Sequence, residues 1–318
     1  MNFVEEALLF PCADELLPAI VAWPGRLHAA LRPARVGAQA APAASAIDTA
    51  ALAQASDDDR RASCGVLIVV GGPQYRVGSH RQFLLLSRRL AAEGHPVMRF
   101  DYRGMGDASG AMRGFEEVAA DIGAAIDAFQ RACPAVQRVV LWGLCDAASA
   151  ALLYVEARGD GRVAGLVVLN PWVRSETSLA QTHIKHYYGQ RLMEREFWWK
   201  LLRGRMAILN SARTLVKTAL TARRGPPANS GSRSFQDRMA DGWRRFPGSV
   251  LLILSGQDYT AKEFLEFVSA NSAWAGLIEA AKTRRVDIAD ADHTFSSRLW
   301  RSQAEDATLA WLGAVMVA

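Results

Sequence analysis

Short apolar runs alternate with amphipathic stretches along most of this chain. Gly65–Val70, Pro96–Phe100, Arg138–Trp142, Val163–Leu169, Ser249–Leu254 and Thr283–Ile288 read as strands. Between them, Gln82–Glu93 sets Phe83, Leu86 and Leu90 on one helical face. Phe115–Cys133 predicts a second helix, ended by Pro134, and Asp146–Ala157 a third. Apolar strands separated by helices predict an α/β fold, a mostly parallel, doubly wound sheet covered on both faces. Residues 3–10 and 16–23 predict two more strands, joined by a turn over Pro11–Glu15.

Two stretches break the rhythm. From Ala34 to Arg61 the composition shifts to Ala, Gln, Ser and Asp, as expected of a surface excursion or flexible insertion. From Trp172 to Phe246 the chain reads as helical, aromatic and basic, and lies between two core strands. It predicts an inserted helical cap over 172–246, with the core formed by 1–171 and 247–318; residues 221–234 predict a loop within the insertion. No internal repeat is visible.

With 318 residues, half of them hydrophobic, the chain can bury a large core. Its net charge of +5 is uneven. The span 172–246 holds fifteen Lys/Arg and five Asp/Glu, a local +10 that leaves −5 for the rest. Within that span, 183–191 and 197–205 mix large aromatics with cations. Three roles fit such a surface. Its aromatics can pack on the sheet while its arginines face water. It can lie against anionic lipid. It can draw an anionic substrate or an acyl-carrier partner. Nucleic acid is not expected, because no recognition motif accompanies the charge. No run is apolar for long enough to span a bilayer, and the first residues lack a signal peptide's pattern, so the expected location is cytoplasmic. Cys12, Cys64, Cys133 and Cys145 lie far apart and form no zinc-binding pair, so free thiols and no metal or organic cofactor are expected.

The candidate chemistry begins at Val139-Val140-Leu141-Trp142-Gly143-Leu144-Cys145-Asp146-Ala147-Ala148. An apolar strand stops at a glycine, a cysteine follows two residues later, and small helix-forming residues come next. This is the context of a nucleophile elbow, which holds a reactive side chain on a strained strand-to-helix turn. Acyl transfer also needs a base, a group that orients the base, and donors for the oxyanion. In one large class of doubly wound enzymes the triad runs nucleophile, acid, histidine along the chain. Asp258, just past the strand and turn Leu251–Gln257, fits the acid. His293, after the Thr283–Ile288 strand, fits the base. Each residue alone has a plainer reading: a buried cysteine, a turn-capping aspartate, a surface histidine. Their order after three successive strands favours a joint site. Asp287, Asp290 and Asp292 are rivals for the acid and read mainly as solvated loop charges.

A sulfur nucleophile at a helix N-terminus beside a histidine favours thiolate, and thus attack on esters, lactones or thioesters through a thioacyl intermediate. Asp146 either opposes that thiolate or caps its helix. The oxyanion hole is expected from the backbone N–H of Asp146 and one from the Gly71–Tyr75 loop. Pro73 has no N–H, so Gln74 is favoured and Gly72 is the alternative. Asp101–Ser109 lacks the third glycine of a dinucleotide loop and reads as a hydrogen-bonded brace, with Arg103 and Asp101 below the site. Tyr75, Trp172, Tyr187 and Trp198 are candidate substrate-binding residues.

The motif Asp101-Tyr102-Arg103-Gly104-Met105-Gly106, the elbow Gly143–Ala147, Asp258 and His293 together resemble the α/β-hydrolase superfamily, from about Gly65 to the end of the chain. The resemblance implies an α/β-hydrolase fold with an inserted cap. The stretch Gly71–Phe83 with Gly-Leu-Cys-Asp-Ala resembles, more narrowly, the exosortase A system-associated hydrolase 1 family. That resemblance implies a link to bacterial exopolysaccharide production and a protein-sorting system, and peripheral contact with the inner membrane. The elbow departs from the usual superfamily pattern twice, with Cys145 for serine and Ala147 for glycine. Cysteine-using dienelactone hydrolases and polyester synthases offer a kinship of mechanism. Two functions stay in view: an acyl hydrolase or acyltransferase with Cys145, His293 and Asp258 as its triad and a small-molecule acyl substrate, anionic or carrier-bound, or a non-catalytic or weakly active partner that docks on envelope machinery through its cap.

Overall fold

The computed structural model describes residues 2–35, 57–72, 74–174 and 233–315. The chain separates into two compact units, 1–172 with 234–318, and 173–233. Most of the predicted cap, including Tyr187 and Trp198, lies outside the described residues, as does the middle of the 34–61 excursion.

The predicted strands form one eight-stranded sheet in the order β1-β2-β4-β3-β5-β6-β7-β8. They are β1 (Phe3–Cys12), β2 (Glu15–Pro24), β3 (Cys64–Val69), β4 (Val97–Phe100), β5 (Arg138–Leu144), β6 (Val163–Leu169), β7 (Ser249–Ser255) and β8 (Thr283–Ile288). The hairpin β1–β2 is antiparallel, and β2 joins β4 antiparallel. From β4 to β8 every pairing is parallel. Parallel strands need crossovers, and helices supply them. The described helices are α1 (Gly25–Arg35), α2 (Asp57–Ser63), α3 (Gln82–Ala92), α4 (Ala119–Ala132), α5 (Asp146–Arg158), α6 (Phe235–Arg245), α7 (Tyr259–Ala270) and α8 (Arg298–Val315).

Period-two alternation divides each central strand between two cores. Val66 and Ile68 of β3, Val140, Trp142 and Leu144 of β5, and Leu251 and Ile253 of β7 face one layer, packed with Phe83, Leu86 and Leu90 of α3 and Trp311 and Leu312 of α8. The ring of Phe83 meets Trp142 edge-on at 5.7 Å, and Trp142 Nε1 donates to Thr308 Oγ1 at 3.4 Å. The other layer holds Ile122, Ile126 and Phe129 of α4, all buried. There Phe129 lies so close to Gly65 that a Cβ would stand 2.6 Å from the ring. Burial on both faces is why these strands read as unbroken apolar runs. The edge strand β8 departs from that pattern: its charges are exposed, as suits a strand with one unpaired side.

Several boundaries differ from the sequence reading. Residues 115–133 are not one helix. Phe115–Glu117 is a separate 3-10 turn, and Val118 breaks the helical path before α4. The ring of Phe115 pairs with Phe235 of α6 at 5.3 Å, which explains the break. Helix α6 was expected within the inserted cap but belongs to the core unit. Its Gly242 lies against α5, where a Cβ would overlap the Leu152 carbonyl oxygen, and Trp243 Nε1 donates to Thr283 Oγ1 at 3.2 Å. Helices α1 and α7 were not foreseen. Residues 34–35 close α1 and 57–61 open α2, so both ends of the predicted excursion are helical.

Candidate active site

The C-terminal ends of the parallel strands gather the predicted site residues. At the end of β5 the chain turns sharply into α5. Cys145 sits at the turn with φ 62° and ψ −123°, a conformation rare for a side-chain-bearing residue. Neighbouring residues fix it there. Cys145 N donates to Leu169 O at 2.8 Å, and Cys145 O accepts from Ala148 N and Trp172 N. Ser149 Oγ donates to Trp172 O at 2.7 Å, so the Trp172 backbone is bound on both sides beside the elbow. Gly143 is required by proximity: a Cβ there would stand 2.6 Å from the Ala147 backbone.

His293 Nδ1 and Asp258 Oδ2 lie 2.8 Å apart. Asp258 is buried, and its carboxylate also caps α7, accepting from Thr260 N at 3.0 Å and Ala261 N at 3.3 Å. The same side chain therefore caps α7 and meets the ring of His293. The His293 pKa is pushed up to about 10, first by the hydrogen bond to Asp258 and second by that to Cys145, against the opposing effect of burial. His293 thus has Asp258 at its Nδ1 and Cys145 among its neighbours. Two of the rival acids are engaged elsewhere. Asp292 folds onto its own loop, accepting from Thr294 N, Ser296 N and Ser296 Oγ. Asp287 pairs with Arg285, and Asp290 is exposed.

The loop after β3 is anchored through Asp101, fully buried at the end of β4. Its carboxylate accepts from Arg76 N at 2.6 Å, from the Arg76 guanidinium, and from Asp107 N at 3.0 Å. Gly106 makes room for it, since a Cβ there would stand 2.5 Å from that carboxylate. Asp101 therefore braces the site as expected, with Arg76 as the link. Arg103 does not share this role: it binds Asp121 of α4 bidentately, at 2.8 Å from each nitrogen.

Among the expected oxyanion donors, Gly72 N donates to Asp146 Oδ2 at 2.8 Å and Gln74 N donates to Gly72 O at 2.8 Å. Neither loop N–H points to an open position in this state, so the preference for Gln74 gains no support from the geometry. Tyr75 is exposed and Trp172 half-buried beside the elbow.

The model of the alpha/beta hydrolase family matches residues 66–310, from β3 into α8. The chain belongs to the alpha/beta hydrolase family. No curated protein matches its sequence. Among solved structures it is similar to the esterase Pf2001 of Pyrococcus furiosus, at 13% identity, covering 98% of this chain and 90% of that one with a TM-score of 0.57. It is also similar to Est1E of Butyrivibrio proteoclasticus, solved with ferulic acid bound, at 14% identity, covering 96% of this chain and 98% of that one with a TM-score of 0.53. At such identities the likeness establishes the fold.

Within this alpha/beta hydrolase, one supporting residue escaped the sequence reading. Buried Asn170, with φ 43°, donates to Ser255 Oγ at 2.9 Å and His293 O at 3.3 Å, and accepts from Ser255 N at 2.9 Å. It ties the ends of β6 and β7 to the histidine loop. The signal was present in Leu169-Asn170-Pro171: asparagine tolerates the left-handed region where a strand ends. No described helix is long and apolar enough to cross a membrane.

Proposed function

We propose that the protein is an acyl hydrolase or acyltransferase acting on esters or thioesters, with Cys145 as nucleophile, His293 as acid and base, and Asp258 as the group that orients His293. The observation that carries this reading is the placement of His293 between Asp258 and the elbow cysteine. The membership in a family with hydrolase relatives and the esterase likenesses agree with it.

In this reading Nδ1 of His293 serves Asp258, which leaves Nε2 for the sulfur. With its raised pKa, His293 already holds the proton when Sγ attacks the acyl carbon. The tetrahedral oxyanion draws on the N–H of Asp146 and on a donor from the Gly72–Gln74 loop. Collapse expels the alcohol or thiol, which takes the proton from His293 and leaves a thioacyl-enzyme. Water or another acceptor then gives its proton to His293, attacks the thioester, and regenerates the thiolate. The motif Gly71–Phe83 extends the proposal to bacterial exopolysaccharide or exosortase systems, with a cytoplasmic site and contact with the inner membrane through the inserted segment.

The test is intact-mass spectrometry of wild type and Cys145→Ala after exposure to short and long acyl esters and thioesters. A single acyl adduct on wild type, absent from the variant, is expected. A folded wild type that takes no adduct from any donor overturns the reading in favour of a docking role.

A further inference from the structure

The residue after the nucleophile carries an unexpected group. Serving as an oxyanion donor requires only the backbone N–H of Asp146, yet its side chain turns back towards the loop after β3. Oδ2 takes the N–H of Gly72 at 2.8 Å. Oδ1 lies against Gly71, where a Cβ would overlap it. The fit is therefore specific, since only glycine at position 71 leaves space for the carboxylate.

Oδ1 is buried and has no hydrogen-bond partner. The N–H groups of Asp146 and Ala147 favour the charge on the carboxylate, but neither reaches Oδ1 with hydrogen-bond geometry. Burial dominates and raises the Asp146 pKa. A helix-capping acid would direct its oxygens to N–H groups of its own first turn, as Asp258 does at α7. Asp146 instead directs its one good hydrogen bond to the loop after β3, on a donor the oxyanion would need.

We propose that the Asp146 carboxylate is an internal occupant of the oxyanion hole, a brake that substrate must displace from Gly72 before the tetrahedral intermediate is stabilised. This rests on the acyl-transfer reading of Cys145. A carboxylate has the charge and shape of an acyl product bound in the hole, so the resting site is occupied by its own product mimic. The displaced Gly72 N–H then becomes the second donor, with the N–H of Asp146 as the first.

Loss of one such donor lowers turnover by roughly a hundredfold or more in other enzymes. Freeing one is therefore expected to speed acylation by about tenfold or more. The experiment is single-turnover acylation by p-nitrophenyl acetate, followed by intact mass, for wild type, Asp146→Ala and Asp146→Asn, with Cys145→Ala as the control for the adduct's position. Asp146→Ala should acylate fastest. Asp146→Asn, which keeps an acceptor for Gly72 but loses the charge, should fall between it and wild type. The Gly72 amide proton resonance should move upfield in Asp146→Ala. A folded Asp146→Ala that acylates no faster than wild type overturns the brake alone. If that variant does not fold, Asp146→Asn decides, and a rate equal to or below wild type overturns it. No adduct on wild type or on either Asp146 variant overturns the acyl-transfer reading and the brake with it. A role confined to helix stability cannot raise the acylation rate.

Discussion

Asp258 and His293 meet at 2.8 Å through the same carboxylate that caps α7. One side chain therefore carries the proposed orienting role and a folding role, and substitutions separate them. Asp258→Asn keeps the volume and an acceptor for the helix N–H groups but removes the charge. Acyl-adduct formation should fall by roughly a thousandfold or more, with a small change in melting temperature. Asp258→Ala should lose the same activity and a further ~1 kcal/mol of stability with the cap. Single-turnover acylation and thermal unfolding of the two variants check both expectations. Equal melting temperatures would show that the cap contributes nothing.

The raised His293 pKa has a consequence for folding. The ring binds its proton more tightly in the folded protein, with a pKa of about 10, than in the unfolded chain, at about 6.5. The resulting stabilisation is fully present below the unfolded value and is lost as pH rises through about 10. Wild type should therefore lose stability between these limits relative to His293→Ala, and Asp258→Asn should move the loss to lower pH. Urea unfolding at a series of pH values measures this. A constant difference between wild type and His293→Ala over that range would contradict it.

The central sheet was legible because its strands are buried on both faces, so apolar runs such as Val163–Leu169 coincide with the observed element. The order Cys145, Asp258, His293 was legible for a related reason: each follows one of those strands. What escaped depends on contacts remote in sequence. Nothing within 115–133 announces that Phe115 pairs with Phe235, 120 residues away. The basic composition shared by α6 and the stretch before it masked the burial of Trp243 and Met239. The direction of the Asp146 side chain depends on the space at Gly71, which composition does not encode.

Gly143 tests the elbow directly. Its neighbour at the turn is the Ala147 backbone, which cannot withdraw without unwinding the first turn of α5. Gly143→Ala should therefore displace Cys145 from the helix N-terminus, lowering acylation by about a hundredfold and stability by several kcal/mol. Chemical denaturation and adduct formation measured on the same sample check this. An unchanged acylation rate would show that the turn is not a close-packed elbow.

Arg76 and Asp101 provide the last test, because they connect the core to the loop whose Gly72 N donates to Asp146. Asp101 has no solvent exposure, and its carboxylate holds both the backbone and the guanidinium of Arg76. Arg76 also reaches Asp107 at 2.7 Å. Arg76→Met leaves the Asp101 charge buried with backbone donors alone, and breaking such a pair costs about 3–5 kcal/mol. Asp101→Asn leaves the guanidinium with Asp107 as its remaining ionic partner. Removing both charges should cost less than the sum of the single changes, with a coupling of roughly 1–3 kcal/mol in a double-mutant cycle by urea unfolding. Acylation should fall in Arg76→Met by more than its loss of folded protein explains, because the loop bearing Gly72 and Gln74 loses its anchor. Additive effects on stability would show that Asp101 braces the loop through backbone hydrogen bonds and that the guanidinium is dispensable.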